Sequence, residues 1–173
     1  EDVGRIDMVC VNPENESEWC AVEMQAVYFS GGAMSKDFPA IREYEGNDFP
    51  MPGVGRRPDF RSSGPKRLMP QLQIKVPTLR RWGKKMAVVI DKAFFDALGD
   101  MSHVDDVSNA DIVWIIVGFD ESAASGTAKL MVRETKFTTL ERAVEGLTAG
   151  VPTTKAEFEK KLSAKLKRQK SKQ

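Results

Sequence analysis

Two carboxylates and an amide occur in segments of the chain that are otherwise apolar. In WCAVEMQAVYF, residues 19–29, Glu23 and Gln25 interrupt a strand-like run. Side chains alternate between the two faces of a β-strand, so Glu23 and Gln25 point to the same side. Asp7 lies in the upstream apolar segment RIDMVCVN, residues 5–12, which a hairpin would bring alongside. These three residues therefore predict a polar cluster on one face of a sheet.

The hairpin register decides whether the two carboxylates meet. The turn formers NPENES separate the two segments, and a turn about Asn15 makes paired positions sum to about thirty. Asp7 then lies directly across from Glu23. Carboxylates that face each other repel unless a cation lies between them. Mg²⁺ resolves this conflict because it prefers oxygen ligands and commonly takes only one or two carboxylates.

Two other interpretations of the hairpin stay open. A lone Asp and a lone Glu in a hairpin are more often exposed to solvent or paired with Arg, and Arg5 is close enough to pair with them. The register of a hairpin can also slip by a residue or two, which makes Asp2 the alternative to Asp7. We favour Asp7 because Asp2 lies outside the paired segment.

Composition narrows the class of protein. A chain of 173 residues suits one compact domain, and we expect residues 1–173 to form a single domain that is truncated at its N-terminus. Two cysteines, with His103, give at most three zinc ligands, which favours a reducing, cytoplasmic setting without a zinc centre. Neither a run of ~20 apolar residues nor a signal-peptide pattern occurs, so we expect no membrane association. A single histidine argues against histidine-based nucleophilic catalysis.

The order of the predicted elements indicates an α/β fold with a mixed central sheet flanked by helices. Strands are predicted at 5–12, 19–29, 85–91, 111–120 and 128–137, and helices at 67–82, 92–100, 139–147 and 153–173. Pro77 should kink its helix or end the first half of it. The apolar run 111–120 is typical of a strand buried on both faces. Residues 30–65 lack periodicity and predict a long loop, whereas 153–173 predict a basic C-terminal helix and tail.

Basic residues cluster between the long loop and the end of the following helix. The cluster comprises Arg56, Arg57, Arg61, Lys66, Arg67, Lys75, Arg80 and Arg81. Arg and Lys contact phosphates, and Arg also matches the O6 and N7 atoms of guanine, so the cluster predicts contact with double-stranded DNA. A solvated loop and helix face explains the same residues about as well.

Four further residues are interpreted as structural. The position numbers of Cys10 and Cys20 also sum to thirty, so the two residues should face each other on the side of the hairpin opposite the carboxylates. We interpret them as small buried hydrophobic residues rather than as a disulfide. Trp82 and Trp114 are predicted to lie in the core.

The hairpin motif resembles a known active site. Asp in one strand followed by Glu-x-Gln in the next is similar to the PD-(D/E)xK nuclease superfamily in its Glu-x-Gln variant. More narrowly, WCAVEMQAVYFSGG resembles the catalytic strand and glycine turn of the NotI-type restriction endonucleases. The resemblance covers residues 5–137 and implies a restriction-endonuclease-like fold. It also implies a Mg²⁺-dependent type II restriction endonuclease that cleaves double-stranded DNA at a specific sequence as a homodimer.

Site roles follow from this resemblance. Asp7, Glu23 and the Met24 backbone carbonyl would bind Mg²⁺, and Gln25, at the position of a Lys in most of the superfamily, would position water. The hairpin is shorter than in the family, and the upstream iron-binding region of four cysteines has no counterpart here. A catalytically inactive nuclease-fold module for DNA binding or assembly is therefore the alternative. A third hypothesis is an α/β scaffold whose hairpin carboxylates form surface salt bridges.

Overall fold

A five-stranded mixed sheet forms the centre of the molecule. The computed structural model describes residues 4–46, 55–120, 128–148 and 154–170. The strands are β1 (Met8–Asn12), β2 (Asn15–Gln25), β3 (Met86–Asp91), β4 (Ile112–Phe119) and β5 (Leu130–Thr138). Their order in the sheet follows their order in the chain, with β2, β3 and β4 parallel and the two edge strands antiparallel to their neighbours. The predicted α/β fold with a mixed sheet is confirmed.

Helices supply the remaining regular structure. They are α1 (Phe38–Arg42), α2 (Phe60–Ser63), α3 (Met69–Arg81), α4 (Lys92–Asp96), α5 (Leu140–Thr148) and α6 (Lys155–Lys170). A π-helical turn, Gly64–Leu68, leads into α3. The alternative in which Pro77 ends the first half of the helix is wrong, because α3 continues through Pro77 to Arg81. Buried Leu72, Val76 and Leu79 anchor α3 on both sides of the proline, which offsets the missing hydrogen bond.

The β1–β2 hairpin has the predicted register over most of its length. Met8 pairs with Val22 and Cys10 with Cys20, so paired positions sum to thirty. The turn is tighter than predicted: Asn12 pairs with Asn15, and the register shifts between Val11 and Asn12. Much of the expected NPENES turn therefore belongs to β2.

One face of the sheet forms the core. Trp114 and Ile116 of β4 are fully buried there, and the Trp114 indole N–H donates to the Thr138 hydroxyl at 2.9 Å. The expectation that β4 is buried on both faces is wrong, because Val113 and Ile115 on its other face are only half-buried. Trp82 is also not a core residue: it is 53% exposed at the end of α3, where it packs edge-on against Trp19.

The predicted loop at residues 30–65 contains short helical segments where it is described. They are the 3₁₀ turn Met34–Lys36 and helices α1 and α2. Thr154 caps α6 by accepting a hydrogen bond from the Glu157 backbone N–H. In the parts of the chain that the structure describes, no helix is long and apolar enough to cross a membrane.

Candidate active site

Strand β2 carries polar side chains into the interior. Glu23 and Gln25 are 3% and 7% exposed and lie on the face of β2 that α3 covers, whereas Met24 between them is 60% exposed on the opposite face. This is the alternation that a strand imposes. The idea that Glu23 is a surface carboxylate is therefore inconsistent with the fold.

The cation that compensates Glu23 comes from α3. The Lys75 ammonium nitrogen lies 2.5 Å from Glu23 Oε1, and the two side chains are 7% and 4% exposed. Lys75 also donates to Gln71 Oε1 at 3.4 Å, one helical turn earlier. An unpaired buried carboxylate would be costly, so this ion pair explains how Glu23 is tolerated in the interior. It replaces Arg5, the partner considered from the sequence.

Asp7 lies one residue before β1, next to the Met8–Val22 pair that ends the hairpin ladder. Its Oδ2 accepts a hydrogen bond from the Met24 backbone N–H at 3.0 Å. The N–H and C=O of one strand residue point to the same edge of the strand. The Met24 carbonyl therefore faces the edge from which Asp7 approaches. Asp2, the alternative carboxylate, lies outside the described residues.

A cleft of about 360 Å³ opens beside these groups, lined by Gly4, Arg5, Asp7, Gln71, Ile74 and Lys75. Gln25 lies two residues after Glu23 on β2, and its Nε2 donates to the Ala26 carbonyl at 2.8 Å. That bond leaves the amide oxygen Oε1 as the acceptor of the side chain. No cluster of three or more His, Cys, Asp or Glu side chains able to hold a metal occurs among the residues described.

Several of the predicted DNA-contacting cations are engaged within the protein. Arg56 donates to the Gly32 and Ala33 carbonyls at 2.5 and 3.2 Å and pairs with Asp37 at 2.5 Å. Arg80 contacts both Asp111 oxygens, at 2.9 and 2.5 Å. The hydrogen bonds that Arg80 donates to Asp111, and then those to Glu141, raise the pKa of Arg80. These two arginines hold loops and helices together, and Lys75 is buried at Glu23.

Other members of the basic cluster remain on the surface. Arg57 and Lys66 are exposed, and the exposed Arg67 stacks over the Tyr28 ring with its guanidinium carbon 3.6 Å from the ring centroid. Arg81, also exposed, donates to the Thr78 hydroxyl at 2.9 Å. The Arg61 side chain lies outside the described part of the structure. Arg57, within the predicted loop, and Lys66 and Arg67, directly after it, are together called the exposed basic surface.

Cys10 and Cys20 are free thiols that pair across the hairpin, as predicted. The prediction that both are buried is wrong: Cys10 is exposed because β1 is an edge strand, and Cys20 is only partly buried. Burial raises the pKa of the Cys20 thiol, with a further contribution from Cys10.

Sequence reasoning assigned Lys75 to DNA contact and did not predict its ion pair with Glu23. A signal was present: Lys75 falls within the apolar positions of α3, between Leu72 and Val76. A charged residue within the buried stripe of a helix requires a partner in the interior. The partner itself, on a strand 52 residues earlier, could not be read from the helix.

Comparison with known proteins defines the class as a restriction endonuclease. The family profile described as Restriction endonuclease NotI matches residues 1–130 of the 173. Because this match covers well over half of the chain, the protein belongs to the NotI restriction endonuclease family. Membership makes it an endodeoxyribonuclease, a hydrolase that acts on DNA. A comparison with curated individual proteins finds no match.

Proposed function

We propose that this chain is a Mg²⁺-dependent type II restriction endonuclease that cleaves double-stranded DNA at a specific sequence. The observation that carries the proposal is the buried Glu23 carboxylate on β2, paired with Lys75, which lines a cleft together with Asp7. Burying a carboxylate costs desolvation free energy, and an ion pair often does not recover it. A catalytic role therefore explains the buried Glu23 more readily than a contribution to stability does.

The donor set suits a hard divalent cation. Asp7, Glu23 and the Met24 carbonyl would hold Mg²⁺, since all three offer oxygen and Mg²⁺ commonly takes one or two carboxylates while keeping several waters. When bound, such an ion offsets the charge that develops on a phosphodiester under attack. The two-carboxylate arrangement is therefore sufficient even though no larger acidic cluster occurs among the described residues.

Gln25 would position the attacking water. Its Nε2 is committed to the Ala26 carbonyl, which fixes the orientation of the amide. The remaining oxygen Oε1 is then an acceptor for a water proton. An amide is neutral and does not take up that proton, so the role of Gln25 is orientation rather than general base catalysis.

The exposed basic surface would contact the DNA. Arg57 lies in the predicted loop at residues 30–65, and Lys66 and Arg67 directly follow it. Tyr28, which stacks on Arg67, lies three residues after Gln25 along the chain. Phosphate contacts from these side chains would place the duplex against the end of β2. Arg56 and Arg80 are engaged in internal contacts and are less suited to this role.

A two-fold homodimer is the assembly that we expect. Cutting both strands of a palindromic site needs two active sites related by the symmetry of the DNA. Scattering or sedimentation of the protein with and without DNA would test this assembly.

A catalytically inactive DNA-binding or assembly module remains the second candidate. The Lys75–Glu23 pair favours it, because Glu23 is already neutralised by a residue of the chain itself. A calorimetric titration that detects no uptake of Mg²⁺ or Mn²⁺, with or without DNA, would support the inactive module.

Cleavage of mixed plasmid DNA with Mg²⁺, followed by sequencing of the ends, tests the proposal directly. Wild-type protein should produce ends at one sequence, and Glu23→Gln should abolish cleavage while DNA binding persists. Gln retains a hydrogen-bond acceptor for Lys75, whereas Glu23→Ala would leave the buried cation unpaired and cost about 3–5 kcal/mol. Glu16→Gln, at an exposed position of the same strand, is the matched control. Unchanged cleavage by Glu23→Gln would contradict the proposal.

A further inference from the structure

Lys75 is an unusual residue to find between a helix and a sheet. Its ammonium is buried, 2.5 Å from Glu23 Oε1 and 3.4 Å from Gln71 Oε1. Burying an ion pair costs desolvation, and apolar residues of similar volume are often at least as stabilising in its place. Stability is therefore a weak reason for a cation at this position.

The position of Lys75 relative to the cleft suggests a different reason. Lys75 lines the same cleft as Asp7 and Arg5, and Gly4 passes close to it, so that a Cβ at Gly4 would lie 3.9 Å from Lys75 Cε. An ammonium carries three N–H donors. The described residues supply two acceptors, Glu23 and Gln71, which leaves a third donor for a group in the cleft.

Gln25 cannot supply a positive charge to the cleft. It is neutral, and its own N–H group donates to the Ala26 carbonyl at 2.8 Å. Among the described residues that contact Glu23, Lys75 is the cation. Helix α3 thus brings a positive charge to the face of β2 on which Glu23 and Gln25 lie.

We propose that Lys75 is a catalytic residue of the nuclease, an inference that rests on the proposed function above. Its third N–H would donate to a non-bridging oxygen of the scissile phosphate. During hydrolysis the attacking water releases a proton to solvent as its oxygen bonds to phosphorus. The bond from phosphorus to the leaving oxygen breaks, and that oxygen takes a proton from solvent. The ammonium would offset negative charge that accumulates on the phosphate oxygens as this occurs.

Three variants test this role: Lys75→Met, Lys75→Met with Gln25→Lys, and Gln73→Met as a control at an exposed position of α3. Single-turnover cleavage with saturating Mg²⁺, DNA affinity with Ca²⁺ and thermal melting are measured for each. Lys75→Met should cleave roughly 100-fold more slowly with DNA affinity nearly unchanged, as expected when one donor to a developing charge is removed. A Lys at position 25, on the same face of β2, should restore at least part of the rate. The control should cleave like wild type.

Each outcome is informative. A wild-type cleavage rate for Lys75→Met would overturn the inference. So would a cleavage rate that falls only as much as the fraction of folded protein falls, and that Gln25→Lys does not restore. If Lys75→Met does not fold, Lys75→Arg replaces it, because Arg keeps the charge but would bind Glu23 with both arms of its fork. Lys75→Arg should then cleave at least about tenfold more slowly at unchanged melting temperature, since one donor is withdrawn from the phosphate; a wild-type rate would overturn the inference. Absence of cleavage by the wild-type protein with Mg²⁺ or Mn²⁺ would overturn the proposed function, and this inference with it.

Discussion

The carboxylate of Asp7 accepts a hydrogen bond from the backbone N–H of Met24 at 3.0 Å. This bond ties the segment that precedes β1 to the end of β2, where the paired part of the hairpin has already finished. The Asp7 carboxylate is thereby held at the peptide bond that joins Glu23 to Met24. Asp7 thus has a structural role, the hydrogen bond to Met24, and a proposed role in binding Mg²⁺. Substitutions at Asp7 can distinguish these two roles.

Substitution of Asp7 by Asn and by Ala should separate charge from hydrogen bonding. Asn keeps an oxygen acceptor for Met24, so we expect Asp7→Asn to melt like wild type but to lose Mg²⁺ uptake and cleavage. Ala removes the acceptor as well and should lower the free energy of unfolding by about 1 kcal/mol. Thermal melting, calorimetry and plasmid cleavage measure the three effects. Cleavage by Asp7→Asn at the wild-type rate would remove Asp7 from the site.

Ala substitutions at Arg57 and Lys66 should weaken DNA binding without affecting the fold, because both side chains are exposed. For each phosphate that a variant no longer neutralises, the slope of log affinity against log salt should become shallower by about 0.9. Lys92→Ala is the control, because Lys92 is exposed and pairs with Asp96 within α4. Fluorescence anisotropy over a salt series gives the slopes, and equal slopes for all variants would argue against this surface.

The buried hydrogen bond between Trp114 and Thr138 should be important for stability. Thr138→Val keeps the shape of the side chain but leaves the indole N–H without its partner, which should cost about 1–3 kcal/mol. Thr138→Ser keeps the hydroxyl and should lose less. Denaturant unfolding of the two variants measures the difference. If Thr138→Ser is destabilised as much as Thr138→Val, the methyl group contributes as much as the hydroxyl, which would contradict this prediction.

Gly146→Ala should destabilise the contact between α5 and the segment after α4. A Cβ at Gly146 would lie 1.9 Å from Met101 Cγ and 3.0 Å from the Gly99 carbonyl oxygen. The shifts that relieve such overpacking typically lower the free energy of unfolding by about 1–3 kcal/mol. Gly32→Ala is the matched control, because nothing lies within 4 Å of its added Cβ. Thermal melting should show a lower transition temperature for Gly146→Ala alone.

The two thiols should differ in reactivity near neutral pH. Burial, and then the neighbouring Cys10, raises the pKa of Cys20, so a smaller fraction of Cys20 is thiolate. We expect iodoacetamide to modify the exposed Cys10 first, and the difference to narrow as the pH rises and Cys20 ionises. Mass spectrometry of peptides alkylated at about pH 7 and about pH 9.5 tests this order. Faster labelling of Cys20 near neutral pH would contradict it.

Local patterns carried much of the information about the fold. The apolar run of β4, the helical spacing along α3 and the turn formers of the hairpin predicted their elements from short stretches of sequence. The pairing of Cys10 with Cys20 followed from the position of one turn, because register in a hairpin is a short-range property. The polar residues on β2 could be recognised for the same reason: strand alternation places Glu23 and Gln25 on one face.

Tertiary packing decided which charges are available for chemistry. Sequence patterns placed Arg56, Arg57, Lys75 and Arg80 in one basic cluster, whereas the fold buries Lys75 at Glu23 and pairs Arg56 and Arg80 with acidic residues. Glu23 and Lys75 are 52 residues apart, and only the docking of α3 on β2 brings them to 2.5 Å. Periodicity reports which side of its own element a residue occupies. The partner across the interface depends on how distant elements pack.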